Sequence, residues 1–255
     1  MPVFKTEALI LRTYKLGEAD RIVVFLTRDR GKKRGVAKGA RRHRSRFTGG
    51  LEPMTRGGVQ YYEREQRELV RINFVEPVSC PMAAAFGRDQ SDLALGHIGY
   101  FAELIDEWAP EAHADERLYR LGATVADALA AGASIDRMAR YFEYWILRLQ
   151  GVYPAVTACP GCGSAFDGLA VMPPREQLYV CRRCAPGSSG TSIGPEALRF
   201  LKAAAVAPPD RIDSLALSAA AARELETAHR RLLNLHLEKE LKSARVLREM
   251  RRIGP

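Results

Sequence analysis

No hydrophobic run in these 255 residues approaches the ~18 that span a bilayer, and no charged start followed by a long apolar stretch opens the chain. The expectation is a cytoplasmic protein with no membrane partner. No Gly-Lys pair has a preceding glycine at the spacing that cradles phosphates, and Gly31-Lys32-Lys33-Arg34 also lacks it, which argues against nucleotide hydrolysis. H-E-x-x-H, G-x-S-x-G, a carboxylate cluster fit for two Mg²⁺ ions and internal repeats are also missing. The five histidines are scattered, His43 in a basic run and His97, His113, His229 and His236 over helical segments, so each reads as a solvated or satisfied side chain. The chain reads as a non-enzyme. Cysteine is scarce, at five residues, while 47% hydrophobic content suffices for ordinary cores without disulfide support.

Charge is distributed unevenly. Residues 1–80 hold 18 Lys and Arg against 9 Asp and Glu, and the other 175 residues hold 21 of each, so the net +9 sits in the first third. Within it, Arg28, Arg30, Lys32, Lys33, Arg34, Lys38, Arg41, Arg42, Arg44 and Arg46 are interrupted by one acid, Asp29. Such a field recruits polyanions, and these ten residues are the candidate phosphate contacts. The alternative is a solvated basic loop without a partner.

The first 80 residues read as short β-branched and aromatic runs separated by Gly-containing turns. Strands are expected over residues 6–14, 21–27, 34–39, 58–62 and 69–74, enough for a small OB-like barrel. Phe25, Tyr61 and Tyr62 are candidates to stack bases on its face, with one of the two adjacent tyrosines in the core by alternation. After Pro77 the apolar spacing becomes helical, through Leu93, Ile98, Phe101, Leu104, Ile105 and Trp108. A second helix is expected over 116–131 and a third after an N-cap at Ser134, ending near Gly151 and Pro154. Two more follow, over about 195–206 and 218–251.

Between the third helix and the last two lie Cys159-Pro-Gly-Cys162 and Cys181-Arg-Arg-Cys184, two C-x-x-C knuckles 18 residues apart. This is zinc-ribbon spacing: two intervening residues let a tight turn aim both sulfurs at one ion, and Gly161 and Gly163 ease the turn. Four thiolates close the shell, so one structural Zn²⁺ with no position for a reactive water is expected at Cys159, Cys162, Cys181 and Cys184. Two disulfides would need an oxidising compartment that nothing here supports. Cys80, before Pro81, reads as a buried thiol.

Several segments together resemble the RecO family of bacterial recombination mediators: Leu16-Gly17-Glu18-Ala19-Asp20-Arg21, Phe25-Leu26-Thr27-Arg28-Asp29-Arg30-Gly31, Val36-Ala37-Lys38-Gly39-Ala40-Arg41-Arg42, and Leu51-Glu52-Pro53. Gly151 and Pro154 before Cys159-Pro-Gly-Cys162-Gly163, and the closing Leu241-Lys242-Ser243-Ala244-Arg245, extend the resemblance through the chain. It implies an α+β protein: an OB-like DNA-binding barrel at 1–80, then an α-helical domain at 81–255 with an inserted zinc ribbon at about 157–194. It further implies binding of single- and double-stranded DNA, annealing of complementary strands, nucleoid association, and work with RecR to load RecA onto strands coated by single-strand-binding protein (SSB). Two other readings use the same residues. One is an RNA-binding or transcription-associated protein built of an OB barrel and a zinc ribbon; the other is a scaffold whose basic patch docks acidic proteins.

Overall fold

The computed structural model describes residues 2–63, 68–86, 91–111, 113–166, 168–187 and 189–253. Its contacts divide the chain into two units, residues 1–133 with 241–255, and residues 134–240.

The first unit is built on five strands, β1 (Val3–Leu16), β2 (Asp20–Thr27), β3 (Lys32–Ala37), β4 (Arg56–Tyr62) and β5 (Val70–Ser79). They close into a barrel in the order β1-β2-β3-β5-β4. Only the β3–β5 pairing is parallel; the other four neighbours are antiparallel. This is the OB-like topology, and all five expected strands are present, the first and last longer than the sequence pattern suggests. β1 serves both neighbours because a bulge between Ile10 and Arg12 bends it, adding local twist where the barrel turns. At Gly57 the β4–β5 approach is so close that a Cβ would lie 2.1 Å from the Glu76 carbonyl oxygen, a contact only glycine avoids.

Alternation sends Ala8, Ile10, Val23, Phe25, Val59, Tyr61 and Ile72 into the barrel core. Phe25 and Tyr61 meet edge to face at 5.7 Å, and Phe4 covers the other side of Tyr61 at 5.4 Å. The expectation that Phe25 and Tyr61 stack bases is therefore corrected. Their register positions, Phe25 opposite Ile10 and Tyr61 opposite Ile72, place both rings inside with no exposed face. Tyr62, one residue on, is half-buried on the opposite, outer face.

Helices α1 (Pro81–Ala85), α2 (Ser91–Trp108) and α3 (Glu116–Ala131) follow the barrel. Asp115 caps α3 by accepting from the Leu118 amide at 2.9 Å, and Gly132, at φ 104°, ends it. The expected long helix over 218–251 is two helices, α6 (Ala219–Leu237) and α7 (Lys242–Ile253). Glu238 takes a left-handed conformation at φ 53°, which ends α6. In the first unit α7 lies on α2, its Leu247 reaching Gly96, where a Cβ would stand 2.7 Å from the leucine methyl. The Ser243 amide and hydroxyl both donate to Glu103 of α2.

The second unit holds α4 (Ile135–Leu149), α5 (Pro195–Ala204), a 3₁₀ turn (Pro209–Ser214), α6 and a small sheet of β6 (Ala170–Met172), β7 (Val180–Cys181) and β8 (Thr191–Ile193). Ser134 stands at the N-cap of α4 as expected, but its side chain makes no capping bond; its amide instead donates to Asp213 at 3.0 Å. Phe142 is fully buried and Trp145 donates its indole N–H to the Ala204 carbonyl at 3.0 Å, so the aromatics of this helix serve packing. No helix among the described residues is long and apolar enough to cross a membrane.

Candidate nucleic-acid interface and metal centre

The ten candidate cations divide into two groups. Those on the β2–β3 hairpin meet acids of their own unit. Arg28 pairs with Glu116 at 3.0 Å and Glu7 at 3.3 Å, Lys33 with Glu63 at 2.8 Å, and Arg34 with Glu111 at 3.3 Å. Arg30 pairs with Asp29 at 3.6 Å and lies over the Phe4 ring, 4.2 Å from its centroid. Lys32 is only 8% exposed; its Nζ donates to the Asp106 carbonyl at 2.7 Å and pairs with the carboxylates of Asp106 and Glu111 at 3.2 and 3.5 Å. A buried lysine with three oxygen partners locks α2 to the barrel and has no surface left for a phosphate.

Lys38, Arg41, Arg42, Arg44 and Arg46 are different. All five are exposed and, among the described residues, none is within ion-pair distance of a carboxylate. The segment that carries them is fixed at both ends. At its start, the Gly39 amide donates to Asp20 Oδ1 at 2.8 Å, and Arg41 donates to the β1–β2 turn twice, its amide to the Ala19 carbonyl and its guanidinium to the Gly17 carbonyl, both at 2.9 Å. At its end, Phe47 and Leu51 enter the barrel core. Arg46 lies over the Phe47 ring at 5.0 Å. Four arginines and a lysine thus stand on an anchored loop, their charge unanswered among the described residues. Sequence spacing could not separate these five from Lys32, because the acids that neutralise the hairpin group come from residues as distant as Asp106, Glu111 and Glu116.

In the second unit the four cysteines converge as their spacing indicated. The sulfurs of Cys159, Cys162, Cys181 and Cys184 all lie within 4.8 Å of one another, and Cys162 Sγ is 3.6 Å from Cys181 Sγ. A tetrahedral ion with bonds of ~2.3 Å requires sulfur separations of ~3.8 Å, whereas a disulfide requires ~2.05 Å. All four cysteines are free of disulfides. Each knuckle is a tight turn: the Gly163 amide, at φ 72°, donates to the Cys159 carbonyl at 2.8 Å, and the Cys184 amide to the Cys181 carbonyl at 3.0 Å. The Cys181 amide donates to Cys159 Sγ at 3.3 Å, tying the knuckles together. Hydrogen bonds from the Ser164 hydroxyl and amide hold the Cys162 thiol down to about 6, while sulfur contacts, Cys162 first, push Cys184 up to about 12. Four thiolates in so small a volume need a cation, and this donor set fits a metal ion with no ligand position to spare. Cys80, expected as a buried thiol, is half-buried and accepts from the Thr55 hydroxyl at 3.5 Å.

The family model described as "Recombination protein O N terminal" matches residues 1–81, and the one described as "Recombination protein O C terminal" matches residues 91–245. The chain belongs to the RecO family. Among curated RecO proteins, "DNA repair protein RecO" of Anaeromyxobacter sp. (strain Fw109-5) is 34% identical over 259 residues, covering 98% of this chain and 96% of that one. The RecO of Geobacter metallireducens is 31% identical, covering 96% and 97%. That of Koribacter versatilis is 38% identical over 177 residues, covering 69% and 70%.

His229, one of the histidines expected to be solvated or satisfied, is satisfied in the interior. His229 is fully buried in the second unit, its Nδ1 2.9 Å from Glu143 Oε2 and its Nε2 3.0 Å from the Tyr153 hydroxyl. Arg140 Nη1 stands 2.9 Å from the same Glu143 oxygen, though poorly directed for a hydrogen bond. Burial lowers the His229 pKa below its ordinary value, opposed by Glu143. The folded state therefore holds the imidazole neutral, while the unfolded chain takes up a proton at about 6.5. Stability of this unit is full above about pH 6.5 and falls as pH drops below it, by at most about 1.4 kcal/mol per pH unit. Thermal melts from pH 7.5 to 5 should show that loss, and His229→Gln should reduce the slope; equal slopes would refute the assignment.

Proposed function

We propose that this RecO protein is a recombination mediator that binds DNA through the exposed loop of its N-terminal barrel. The observation that carries the reading is the anchored set Lys38, Arg41, Arg42, Arg44 and Arg46, none paired to an acid among the described residues. A preformed cationic surface binds a polyanion without first breaking internal ion pairs, and each neutralised phosphate releases counterions. Arg28, Arg30, Lys33 and Arg34 flank this set; their mostly exposed ion pairs are weak enough to exchange carboxylate for phosphate. Lys32 is withdrawn from the contact set.

The division of labour runs near residue 80, with DNA held by residues 1–80 and partners met by the helical domain of 81–255. One Zn²⁺ held by Cys159, Cys162, Cys181 and Cys184 fixes the 157–194 segment, and its filled shell gives it a structural role with no part in chemistry. Annealing follows from charge alone: a cationic surface screens two strands that repel each other and holds them until pairing nucleates. Cooperation with RecR, loading of RecA onto SSB-coated strands, and a bacterial cytoplasmic, nucleoid-associated setting rest on membership of the family.

Binding of one oligonucleotide sequence as single-stranded DNA and as RNA, at equal salt, tests the reading. DNA bound at least as well as RNA, with log K falling linearly in log[salt] by ~0.7 per contacted phosphate, is the expected result. A clear preference for RNA would move the protein to RNA processing or transcription.

A further inference from the structure

The outer surface of the barrel is unevenly covered. Across β1, β2 and β3, one outward row is Arg12, Val24 and Arg34, and the next is Tyr14, Ile22 and Val36. Helix α2 closes over the first row: Arg12 pairs with Glu103 and Asp106 at 3.3 and 3.0 Å, and Val24 is buried. The second row is more open, and the Tyr14 hydroxyl reaches the Arg12 guanidinium beside it. Tyr14 is 49% exposed, Ile22 and Val36 are half-buried, and the register runs on from Val36 to exposed Arg71 on β5.

Cations border this open strip. Lys15 follows Tyr14 and is exposed, Lys38 follows the end of β3, and Arg41 is pinned to the Gly17 carbonyl of the turn that closes the Tyr14 hairpin. A lone exposed aromatic is ordinary on a protein surface. An exposed aromatic on a strip of apolar side chains, with positive charge on its rim that no described acid answers, is the arrangement that receives a flat apolar ring attached to an anionic backbone.

We infer that Tyr14 is a base-stacking platform, on which the Tyr14, Ile22 and Val36 strip receives bases of single-stranded DNA while the Lys38 to Arg46 loop holds its phosphates. The inference rests on the DNA-binding reading and adds to it a preference for unpaired strands at this strip. Bases of a duplex have both faces covered by their neighbours, so a duplex uses the loop but not the platform. A single strand uses both.

The test is fluorescence anisotropy with labelled oligo-dT and with a duplex of equal length, using Tyr14→Ala, Tyr14→Trp and the Arg41→Ala, Arg42→Ala, Arg44→Ala triple variant. Tyr14→Ala should weaken single-strand binding about tenfold, leave the salt slope unchanged and leave duplex affinity within twofold. Tyr14→Trp should retain single-strand affinity, and its added indole emission should be quenched by oligo-dT. Tyr14→Ala binding oligo-dT as the wild type does, or losing single strand and duplex equally, would overturn the platform. If the triple variant still loses affinity in that case, the loop reading stands and only the platform falls; if neither variant changes binding, the DNA-binding reading itself fails.

Discussion

Removing zinc should unfold the 157–194 segment. Structural zinc in small domains contributes about 10–16 kcal/mol of binding free energy at neutral pH, as much as the whole stability of an ordinary domain. The three strands beside the knuckles are two or three residues long, too short to persist alone, and β7 contains the ligand Cys181. Its neighbour Tyr179 is fully buried and its phenol is pushed up by burial, so loss of the knuckle would expose a core aromatic. The expected result is one zinc per chain by elemental analysis. Prolonged chelation, or Cys159→Ser, should bring protease cleavage within 157–194 while the barrel unit stays resistant. A chain without zinc that resists protease throughout would refute the metal assignment.

Replacing Arg41, Arg42 and Arg44 with alanine should weaken single-strand binding on the order of 100-fold at ~0.1 M salt, and reduce the slope of log K against log[salt] by about 2. The three losses should add because these guanidiniums form no ion pair among the described residues, so removing them orphans no acid there. Lys32→Ala is the opposite case. It leaves Asp106 with Arg12 as its remaining cationic partner, removes the Lys32 bond to the Asp106 carbonyl, and should lower the melting temperature of the first unit while leaving the salt slope nearly unchanged. A triple variant with wild-type affinity would show that the loop charge serves something other than DNA.

The barrel was legible in the sequence because period-2 alternation is local: Val23 and Phe25, or Val59 and Tyr61, announce the same face within three residues. The cysteine cluster was legible for a similar reason, since each C-x-x-C fixes its own turn and only the pairing of two knuckles needs the fold. What could not be read was set by contacts distant in the chain. Lys32 and Arg41 look alike in a run of basic residues until Asp106, from α2, buries one and the Gly17 turn exposes the other. An aromatic beside basic residues suits base stacking, yet the register of Phe25 opposite Ile10 turns it inward, and alternation alone does not single out Tyr14 on the outer row. The stop at Glu238 left no mark either. Apolar residues such as Leu232, Leu235, Leu241 and Leu247 recur on both sides of it with no proline or glycine between, and only the left-handed residue ends α6 before α7 returns to α2.

Annealing of complementary oligonucleotides coated with the cognate SSB, with and without this protein at modest salt, is the decisive measurement. Acceleration by the wild type that the Arg41, Arg42, Arg44 alanine variant loses is the predicted result. No acceleration by the wild-type protein would contradict the proposed role of a mediator acting through the N-terminal barrel.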